Sequence, residues 1–368
     1  MAHTLFHANI KDLRTSDIRL NGLQMRALKD LIMSKGISPD VVNLQEIQYD
    51  LENGEVPLQR REGQNLANLL ALTWPDLARD LQTSSIFVQA NTGKLAHKDD
   101  AGRYCLNKEP SNDEVNEFAD QQNFGLFPGQ YSSFIASSFG PAPGEKPLML
   151  RSLKWREFNQ NIDLTQFSVG NGKRLNPDVQ LFDKVLYSLP VQLEGRLVYL
   201  VSLHTVPYFH FGNDHTPNYA RNFDQLRFLS WYLHSDAQGL NVDEQGLWER
   251  HQIKPLPKNT PYVVIGDLNV DINDEPEWDQ AKAYHSAKVL EKIIEMSKLP
   301  FDRSHFTFDS GRLKKFFDYV IFSKHFELSN PVIWNHSKFA KAGELSDHFA
   351  LTVDFFLSQQ GSDSLLAY

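Results

Sequence analysis

The segment LSDHFALTVDF spans residues 345–355 and places Asp347 and His348 at the start of an apolar strand. From residue 349 onward apolar and polar residues alternate, which is the pattern of a half-buried β-strand. A carboxylate beside a titratable imidazole suits metal-assisted hydrolysis, because one can bind a hard cation and the other can move a proton. The segment therefore predicts that the last strand of the fold begins at a polar site.

Four more apolar, strand-like runs are interrupted by polar side chains in the same way. These are Asn9 after residues 5–6, Gln45 and Glu46 after 41–44, Asp267 and Asn269 after 262–265, and Asp318 before 319–321. Charged groups are rarely buried without a partner, so carboxylates beside so many buried strands need an explanation. We therefore expect one shared polar site, built from residues scattered along the chain.

The N-terminal part of the sequence predicts a strand–helix–strand unit. A buried strand from Leu5 to Ile10 is followed by a helix from about Ile18 to Ser34, which Gly36 ends. A second buried strand runs through residues 41–44. A crossover of this size is typical of parallel strands in a sheet that is covered on its faces.

Later segments add further strands and helices. Helical patterns occupy about 61–72, 113–121, 218–234 and 278–297, and strand patterns occupy 131–137, 181–193 and 197–203. The last two strands are joined by Glu194, Gly195 and Arg196 in the manner of a hairpin, which adds antiparallel pairing. The sequence therefore predicts an α/β protein with mixed strand directions.

No Pro- or Ser-rich linker, charge block or internal repeat divides the chain. The sequence therefore predicts a single domain over residues 1–358, with a long insertion at about 49–130 that decorates the site. The tail at 359–368 is rich in Gly, Ser and Asp and is predicted to be disordered.

The composition limits the possible partners. The chain has 37 Lys and Arg residues against 46 Asp and Glu residues, a net charge of −9, so its field repels polyanions. A single cysteine, Cys105, excludes an intramolecular disulfide and a cysteine-rich zinc site. No apolar run approaches the roughly 20 residues that span a bilayer. We expect a soluble monomer, either cytoplasmic or secreted with its leader removed, and the sequence leaves the compartment open.

Asp267 and Asn269 follow a buried strand that gives way at Gly266, and they project from the same side of an extended turn. A carboxylate can take a proton from water while a carboxamide donates to a phosphoryl oxygen, so this pair suits attack on phosphorus. The alternative is a turn in which both side chains only cap backbone amides. The polar clusters at the other strands are the reason for preferring a catalytic role.

The remaining clusters suit a magnesium ion and a histidine held by a carboxylate. Mg²⁺ takes one or two carboxylates together with waters and substrate oxygens, which Glu46 and Asp347 can supply from different strands. Asp318 is a natural partner for His348, because it would fix the tautomer and favour the imidazolium. His204 ends another strand and could face the same polar rim.

Zinc and long nucleic acids fit the sequence less well. No His-Glu-x-x-His pattern occurs, and structural roles suit His3, His7, His210 and His215. The basic residues form small clusters rather than a stripe with interleaved aromatics. Nuclease activity therefore ranks below hydrolysis of a small substrate.

Taken in order, the polar clusters resemble the motifs of the endonuclease/exonuclease/phosphatase superfamily, the deoxyribonuclease-I-like group. The resemblance covers nearly the whole chain and is carried by Asn9, Gln45–Glu46, His204, 266–269, Thr307–Phe308, Asp318–Tyr319 and 346–348. A narrower likeness, at 123–131 and 204–229, is to a poorly characterised bacterial branch of large members. The fold that the resemblance implies is a four-layer α/β sandwich of two packed mixed β-sheets flanked by helices, with the site at their common edge.

The resemblance also implies which residues hold the metal. Glu46 resembles the main Mg²⁺ ligand, and Asp347 resembles the residue that assists metal binding. Asn9 is similar to the first-strand asparagine near metal and phosphate. The tryptophan that usually precedes this asparagine is absent, because Ala8 stands in its place.

The catalytic roles come from the same resemblance. Asp267 and Asn269 would position or deprotonate the attacking water. His348 resembles the catalytic histidine and Asp318 its carboxylate partner. His204 is similar to the phosphate-contacting histidine of the deoxyribonuclease and sphingomyelinase branches.

Together these inferences predict a Mg²⁺-dependent phosphoesterase, with Mn²⁺ as the alternative ion, that hydrolyses a phosphodiester or phosphomonoester by in-line attack of an activated water. A small phosphoester is the favoured substrate. A metal-dependent endonuclease or exonuclease acting on DNA or RNA is one alternative, because it would use the same residues. A catalytically inactive interaction module on the same fold is the other.

Overall fold

The computed structural model describes residues 2–49, 64–74, 84–335 and 345–358. Two mixed β-sheets pack face to face, and helices cover the outer face of each sheet. The predicted α/β class and the layer order of helices, sheet, sheet and helices are therefore confirmed. The tail at 359–368 lies outside the described residues, so its disorder stays a prediction.

The chain has both long strands of the core sheets and short strands of two or three residues. They are β1 (His3–Leu13), β2 (Val41–Ile47), β3 (Ser84–Phe87), β4 (Ser132–Ser137), β5 (Leu148–Leu150), β6 (Ser168–Val169), β7 (Lys173–Arg174), β8 (Leu186–Leu193), β9 (Arg196–Ser202), β10 (Tyr262–Asp267), β11 (Phe308–Asp309), β12 (Lys314–Lys315), β13 (Asp318–Phe322), β14 (Phe326–Trp334) and β15 (Ala350–Leu357). The first sheet has the order β14-β15-β1-β2-β4-β3, and the second has β13-β10-β9-β8-β5. Strand β1 runs parallel to β2, and β10 runs parallel to β9, whereas the other described neighbours in these sheets are antiparallel.

Helices cover both sheets. They are α1 (Thr15–Arg19), α2 (Leu23–Lys35), α3 (Gln64–Thr73), α4 (Asn112–Phe118), α5 (Trp155–Phe158), α6 (Asn218–His234), α7 (Glu244–His251), α8 (Asp279–Ala283) and α9 (Ser286–Glu295). Apolar residues of α1, α2 and α3 pack on the first sheet, and those of α6 and α9 pack on the second. The predicted helix at 218–234 has the bounds of α6.

The structure divides the first predicted helix. The segment from about Ile18 to Ser34 forms the separate helices α1 and α2, because Asn21 adopts a left-handed φ of +50° that no α-helix can continue. Gly22 then starts α2, and Gly36 ends it as predicted, with φ +60°. Leu20 lies at the break and is 80% exposed instead of joining the apolar face.

Two later predictions need the same kind of correction. The single helix expected at about 278–297 is divided into α8 and α9, because Tyr284 and His285 leave helical geometry. The strand expected at 181–193 begins only at Leu186, since residues 181–185 lie outside the ladder that pairs β8 with β9.

Part of the predicted insertion belongs to the first sheet. Within 49–130 the described residues supply the edge strand β3, which pairs with β4, as well as α3 and α4. Residues 50–63 and 75–83 lie outside the described part of the chain, and the domain boundary remains a prediction. In the described ranges, no helix combines the length and apolar character needed to traverse a bilayer.

The inter-sheet face of the first sheet changes from apolar to polar along two neighbouring strands. In β1, Leu5 packs in the core between the sheets. Because side chains of a strand alternate between its faces, His7 and Asn9 share the face of Leu5. In the parallel register Asn43 of β2 lies beside His7, and Gln45 lies beside Asn9. Since β1 and β2 also pack on β10, a buried polar region forms between the two sheets.

Candidate active site

Three side chains from different parts of the chain bring ligand atoms to one point. Glu46 comes from β2, Asp267 ends β10, and His204 follows β9. His204 Nε2 is 3.4 Å from Asp267 Oδ2 and 3.8 Å from Glu46 Oε1. All three ligand atoms lie within 4.8 Å of one another, close enough to share one cation. Two carboxylate oxygens and an imidazole nitrogen are donors that Mg²⁺ or Mn²⁺ can use.

Asn9 lies between the two carboxylates of this cluster. Its Nδ2 donates to Glu46 Oε1 and to Asp267 Oδ2, both at 3.1 Å. Its Oδ1 accepts from the backbone N–H of Lys11 at 3.0 Å. In this arrangement Asn9 orients both acidic groups, while its own oxygen is engaged by the backbone.

A bulge in β1 supplies backbone donors to the same cluster. The register between β1 and β2 shifts between Asn9 and Leu13, where Lys11 and Asp12 adopt φ +47° and +57°. The Asp12 N–H donates to Glu46 Oε2 at 3.1 Å. Glu46 itself has φ +63°. A left-handed backbone conformation costs free energy in residues other than glycine, and such residues often cluster at functional sites. Their occurrence here is consistent with a functional site.

Gly266 allows β10 to approach its neighbours closely at the site. It has φ +149°, and a Cβ at this position would lie 1.9 Å from the Leu203 carbonyl oxygen and 2.6 Å from Gln45 Nε2. Gln45 Oε1 accepts from the Asp267 N–H at 2.9 Å, and its Nε2 donates to the Leu203 oxygen at 3.2 Å. Only glycine leaves room for these contacts, which position Asp267.

A buried carboxylate links two histidines beside the cluster. Asp318 Oδ2 is 2.8 Å from His348 Nδ1, and Asp318 Oδ1 is 3.2 Å from His7 Nε2. His7 Nδ1 is in turn 2.8 Å from Asn43 Oδ1. The opposite ring nitrogen of His348, Nε2, is 3.8 Å from Asp267 Oδ2. The chain of contacts therefore fixes the His348 ring and directs its Nε2 toward the acidic cluster.

The charge state of this pair follows from its surroundings. Burial alone would lower the pKa of His348, but the Asp318 and Asp267 carboxylates outweigh it and raise that pKa to about 10. Burial would raise the pKa of Asp318, and the charges and hydrogen bonds of His348 and His7 outweigh it and lower that pKa below its usual range. At neutral pH the pair is therefore an imidazolium and a carboxylate.

Burial is the largest influence on the pKa values of Glu46, His204 and Asp267. Burial raises the pKa of Asp267 to about 7, although the nearby His348 charge acts in the opposite direction. It also raises the pKa of the Glu46 carboxyl, and it lowers the pKa of His204 well below its usual range. His204 is thus a neutral imidazole, and Asp267 can exchange a proton near neutral pH. A bound cation would favour both carboxylates in their charged form.

Asn269 lies at the rim of the cluster. It has φ +52°, its backbone N–H donates to Asp267 Oδ1 at 2.8 Å, and its Nδ2 donates to the Thr205 carbonyl oxygen at 3.0 Å. Among the described residues the second N–H of its carboxamide has no acceptor, so it can donate to a ligand.

Asp347 is less closely joined to the cluster than the sequence suggested. Its Oδ2 accepts from Lys11 Nζ at 2.8 Å, in a pair whose side chains are 20% and 60% exposed respectively. It does not occur in the groups of converging ligand atoms found among the described residues, although its charge acts on the adjacent His348. Its part in metal binding stays a prediction.

Some residues of the site escaped the sequence reasoning. His7 was expected to have a structural role, yet it is fully buried against Asp318. The alternation in β1 could have found it, because His7 lies two residues before Asn9 and therefore on the same face of the strand. The Lys11 contact to Asp347 had no comparable signal, since it depends on a bulge.

Two packed mixed sheets, with an acidic and histidine-containing cluster where β2, β9 and β10 end, define an α/β protein with a site suited to a divalent cation. The chain belongs to the Endonuclease/Exonuclease/phosphatase family, whose model matches residues 13–348. This confirms the resemblance found in the sequence. Members of the family are generally hydrolases acting on phosphoesters, they include nucleases and phosphatases, and they depend on divalent metals.

Among solved structures that this chain resembles, one has a TM-score above 0.5 and supports the fold. An endonuclease/exonuclease/phosphatase from Beutenbergia cavernae DSM 12333 is 15% identical with a TM-score of 0.54, over 97% of this chain and 72% of that one. A family protein from Bacteroides vulgatus is 12% identical (TM-score 0.48, 97% and 100% covered), and one from Leptotrichia buccalis C-1013-b is 14% identical (TM-score 0.47, 97% and 99% covered). No match to this chain is found among curated proteins.

Proposed function

We propose that this protein is a divalent-metal-dependent phosphoesterase that hydrolyses a small phosphodiester or phosphomonoester. The observation that supports this best is the convergence of Glu46, Asp267 and His204 beside the His348 imidazolium, in a chain of a phosphoester-hydrolase family. Mg²⁺ is the proposed ion because most donors are oxygens, and Mn²⁺ is the alternative because it also accepts imidazole nitrogen.

Each group has a proposed task. Glu46 would hold the cation with Asn9 and Asp347 assisting, while Asp267 and His204 lie beside it as the proposed base and hydrogen-bond donor. The cation, when bound, polarises a phosphoryl oxygen and makes water a better nucleophile. Asp267 takes a proton from the attacking water as the new oxygen–phosphorus bond forms and the bond to the leaving group breaks.

The remaining groups stabilise charge on the phosphoryl oxygens. His348 supplies a fixed positive charge, because Asp318 holds its ring and favours its protonated form, while His7 contacts the other oxygen of Asp318. The neutral His204 and the second N–H of the Asn269 carboxamide are the other proposed donors. Such positioned donors are each worth about 10²-fold or more in rate.

The overall charge favours a small ester over a long nucleic acid. A net charge of −9 gives no electrostatic attraction for a polyanion, whereas a small phosphoester needs only the local positive charge of the site. Cutting of DNA or RNA therefore serves as the alternative outcome of the substrate test below.

The test is a hydrolysis screen with and without chelator. Nitrophenyl phosphomonoesters and phosphodiesters, phospholipid head groups, inositol phosphates, plasmid DNA and single-stranded RNA are offered with Mg²⁺ or Mn²⁺. We expect metal-dependent release of phosphate or alcohol from small esters, and a turnover loss of about 10²-fold or more in Glu46→Gln and in His348→Gln. Glu327→Gln, an exposed change on β14, is the matched control.

Unchanged hydrolysis in both site variants would remove the mechanism. Efficient, salt-sensitive cutting of nucleic acid with no turnover of small esters would assign a nuclease. If calorimetry shows that neither Mg²⁺ nor Mn²⁺ binds and no ester is hydrolysed, the inactive interaction module is the correct reading.

A further inference from the structure

Lys184 is a buried cation without a task in the mechanism above. It lies just before β8, and its side chain is only 7% exposed. Its ammonium is 3.0 Å from Oδ2 of Asp183, whose side chain is 6% exposed. Removing two charges from water costs free energy that their mutual attraction does not always return, so a buried pair beside a polar site suggests a specific use.

The Lys184 ammonium reaches the loop that carries two residues of the site. It donates to the Thr205 carbonyl oxygen at 3.4 Å, and the same oxygen accepts from Asn269 Nδ2 at 3.0 Å. Thr205 directly follows His204, and its backbone N–H donates to the Asp267 carbonyl oxygen at 3.1 Å. Lys184 and Asn269 therefore converge on one oxygen at the rim of the candidate site.

The Lys184 ammonium has one N–H group left over, and its positive charge influences the site. An ammonium has three N–H groups, and the acceptors found for Lys184 in the described residues are two, Asp183 and Thr205. Burial is the largest influence on Glu46, whose pKa it raises, and on His204, whose pKa it lowers. The Lys184 charge lowers the pKa of both groups. The positive charge is therefore near enough to the metal cluster to affect an anion bound there.

We propose that Lys184 is a phosphate-binding residue of this site, and that its third N–H donates to a phosphoryl oxygen of the bound ester. This inference rests on the proposed function and adds to it a contact on the side of the site that faces Thr205. A lysine ammonium is a compact charge that binds phosphate well, and such charge-assisted hydrogen bonds are stronger where water is excluded.

The test measures binding of inorganic phosphate and of Mg²⁺ separately, by calorimetry on the full chain, together with KM and kcat for the best ester. In Lys184→Met we expect phosphate binding to weaken by about 10-fold or more and KM to rise, because one charged hydrogen bond is lost. Mg²⁺ binding should be unchanged or tighter, since a positive charge near Glu46 has gone. Lys184→Arg should keep phosphate binding within a few-fold.

Two further variants separate phosphate binding from a structural ion pair. If Lys184 binds phosphate, Asp183→Asn keeps phosphate affinity while Lys184→Met loses it, and an equal loss in both would overturn the inference. Lys298→Met, a half-buried lysine that donates to the Phe326 carbonyl oxygen, is the control and should bind phosphate as the wild type does.

If Lys184→Met alone does not fold, the double variant Asp183→Asn/Lys184→Met replaces it in the test. This variant removes both charges and therefore leaves no unpaired buried carboxylate. Wild-type phosphate affinity in this variant would overturn the inference even when metal-dependent hydrolysis stands. Absence of metal-dependent hydrolysis in the wild type would instead remove the proposed function, so the two failures are distinguishable.

Discussion

Replacing Asp318 by Asn tests the electrostatic core of the site. In the wild type the two carboxylates near His348 raise its pKa from 6.5 to about 10 against the effect of burial. At about 1.36 kcal/mol per pH unit, this difference corresponds to roughly 5 kcal/mol in favour of the imidazolium. Asp318→Asn removes the largest effect that raises the pKa of His348, so that pKa should fall from about 10 toward its ordinary value, with the Asp267 carboxylate still acting on the ring.

The sign of the effect on stability follows from the same pKa. The folded-state pKa of His348 is raised, so its contribution to stability is complete below about pH 6.5 and is lost as the pH rises toward about 10. Asp318→Asn removes the part of that contribution that comes from Asp318. The free energy of unfolding of the variant should therefore be lower than that of the wild type by up to roughly 5 kcal/mol near neutral pH, and the two should approach each other at alkaline pH.

The assay is an NMR titration of histidine side chains in metal-free protein, with kcat/KM measured against pH in the presence of metal. Wild-type His348 should stay protonated through about pH 9, whereas in Asp318→Asn it should titrate well below that pH, and activity should fall as the pH rises through the lowered pKa. Asp354→Asn is the control, because this carboxylate of β15 accepts from Thr4 and Asn330 and not from a site residue. A His348 that still titrates above pH 9 in Asp318→Asn would refute the reasoning.

Two further predictions concern stability, and urea titration measures both. Gly266→Ala should lower the free energy of unfolding by roughly 3 kcal/mol or more, because its methyl group would lie 1.9 Å from the Leu203 carbonyl oxygen. Gly140→Ala is the control and should be nearly neutral, since among the described residues no atom lies within 4 Å of the added methyl group. Equal stability of the two variants would contradict the close approach of β9 and β10. Trp155→Phe should lower the free energy of unfolding by roughly 2–4 kcal/mol, since Trp155 Nε1 donates to the buried Asp224 Oδ2 at 2.6 Å. An unchanged free energy of unfolding in the urea titration would count against this contact.

Much of the site could be predicted because its residues follow recognisable buried strands. Asp267 comes after four apolar residues of β10, and Asp318 precedes an apolar run in β13, so both were found from local pattern. The helix break at Asn21 was missed because the apolar spacing continues across it, although the dipeptide Asn21-Gly22 is itself a turn signal. The alternation in β1 places His7 on the same face as Asn9, but nothing near it in the sequence shows that its partner is a carboxylate 311 residues away.

The sequence alone determined which strands are buried and which of their ends carry carboxylates, carboxamides and histidines, since alternation and burial are local properties of the chain. Only the tertiary structure decided how these ends meet. The close approach at Gly266, the bulge at Lys11 and the burial of Asp318 between two histidines depend on how two sheets pack. Burial raises the pKa of Asp267 to about 7, and the Asp318 and Asp267 carboxylates raise that of His348 to about 10 against the effect of burial; both effects depend on residues far apart in the chain.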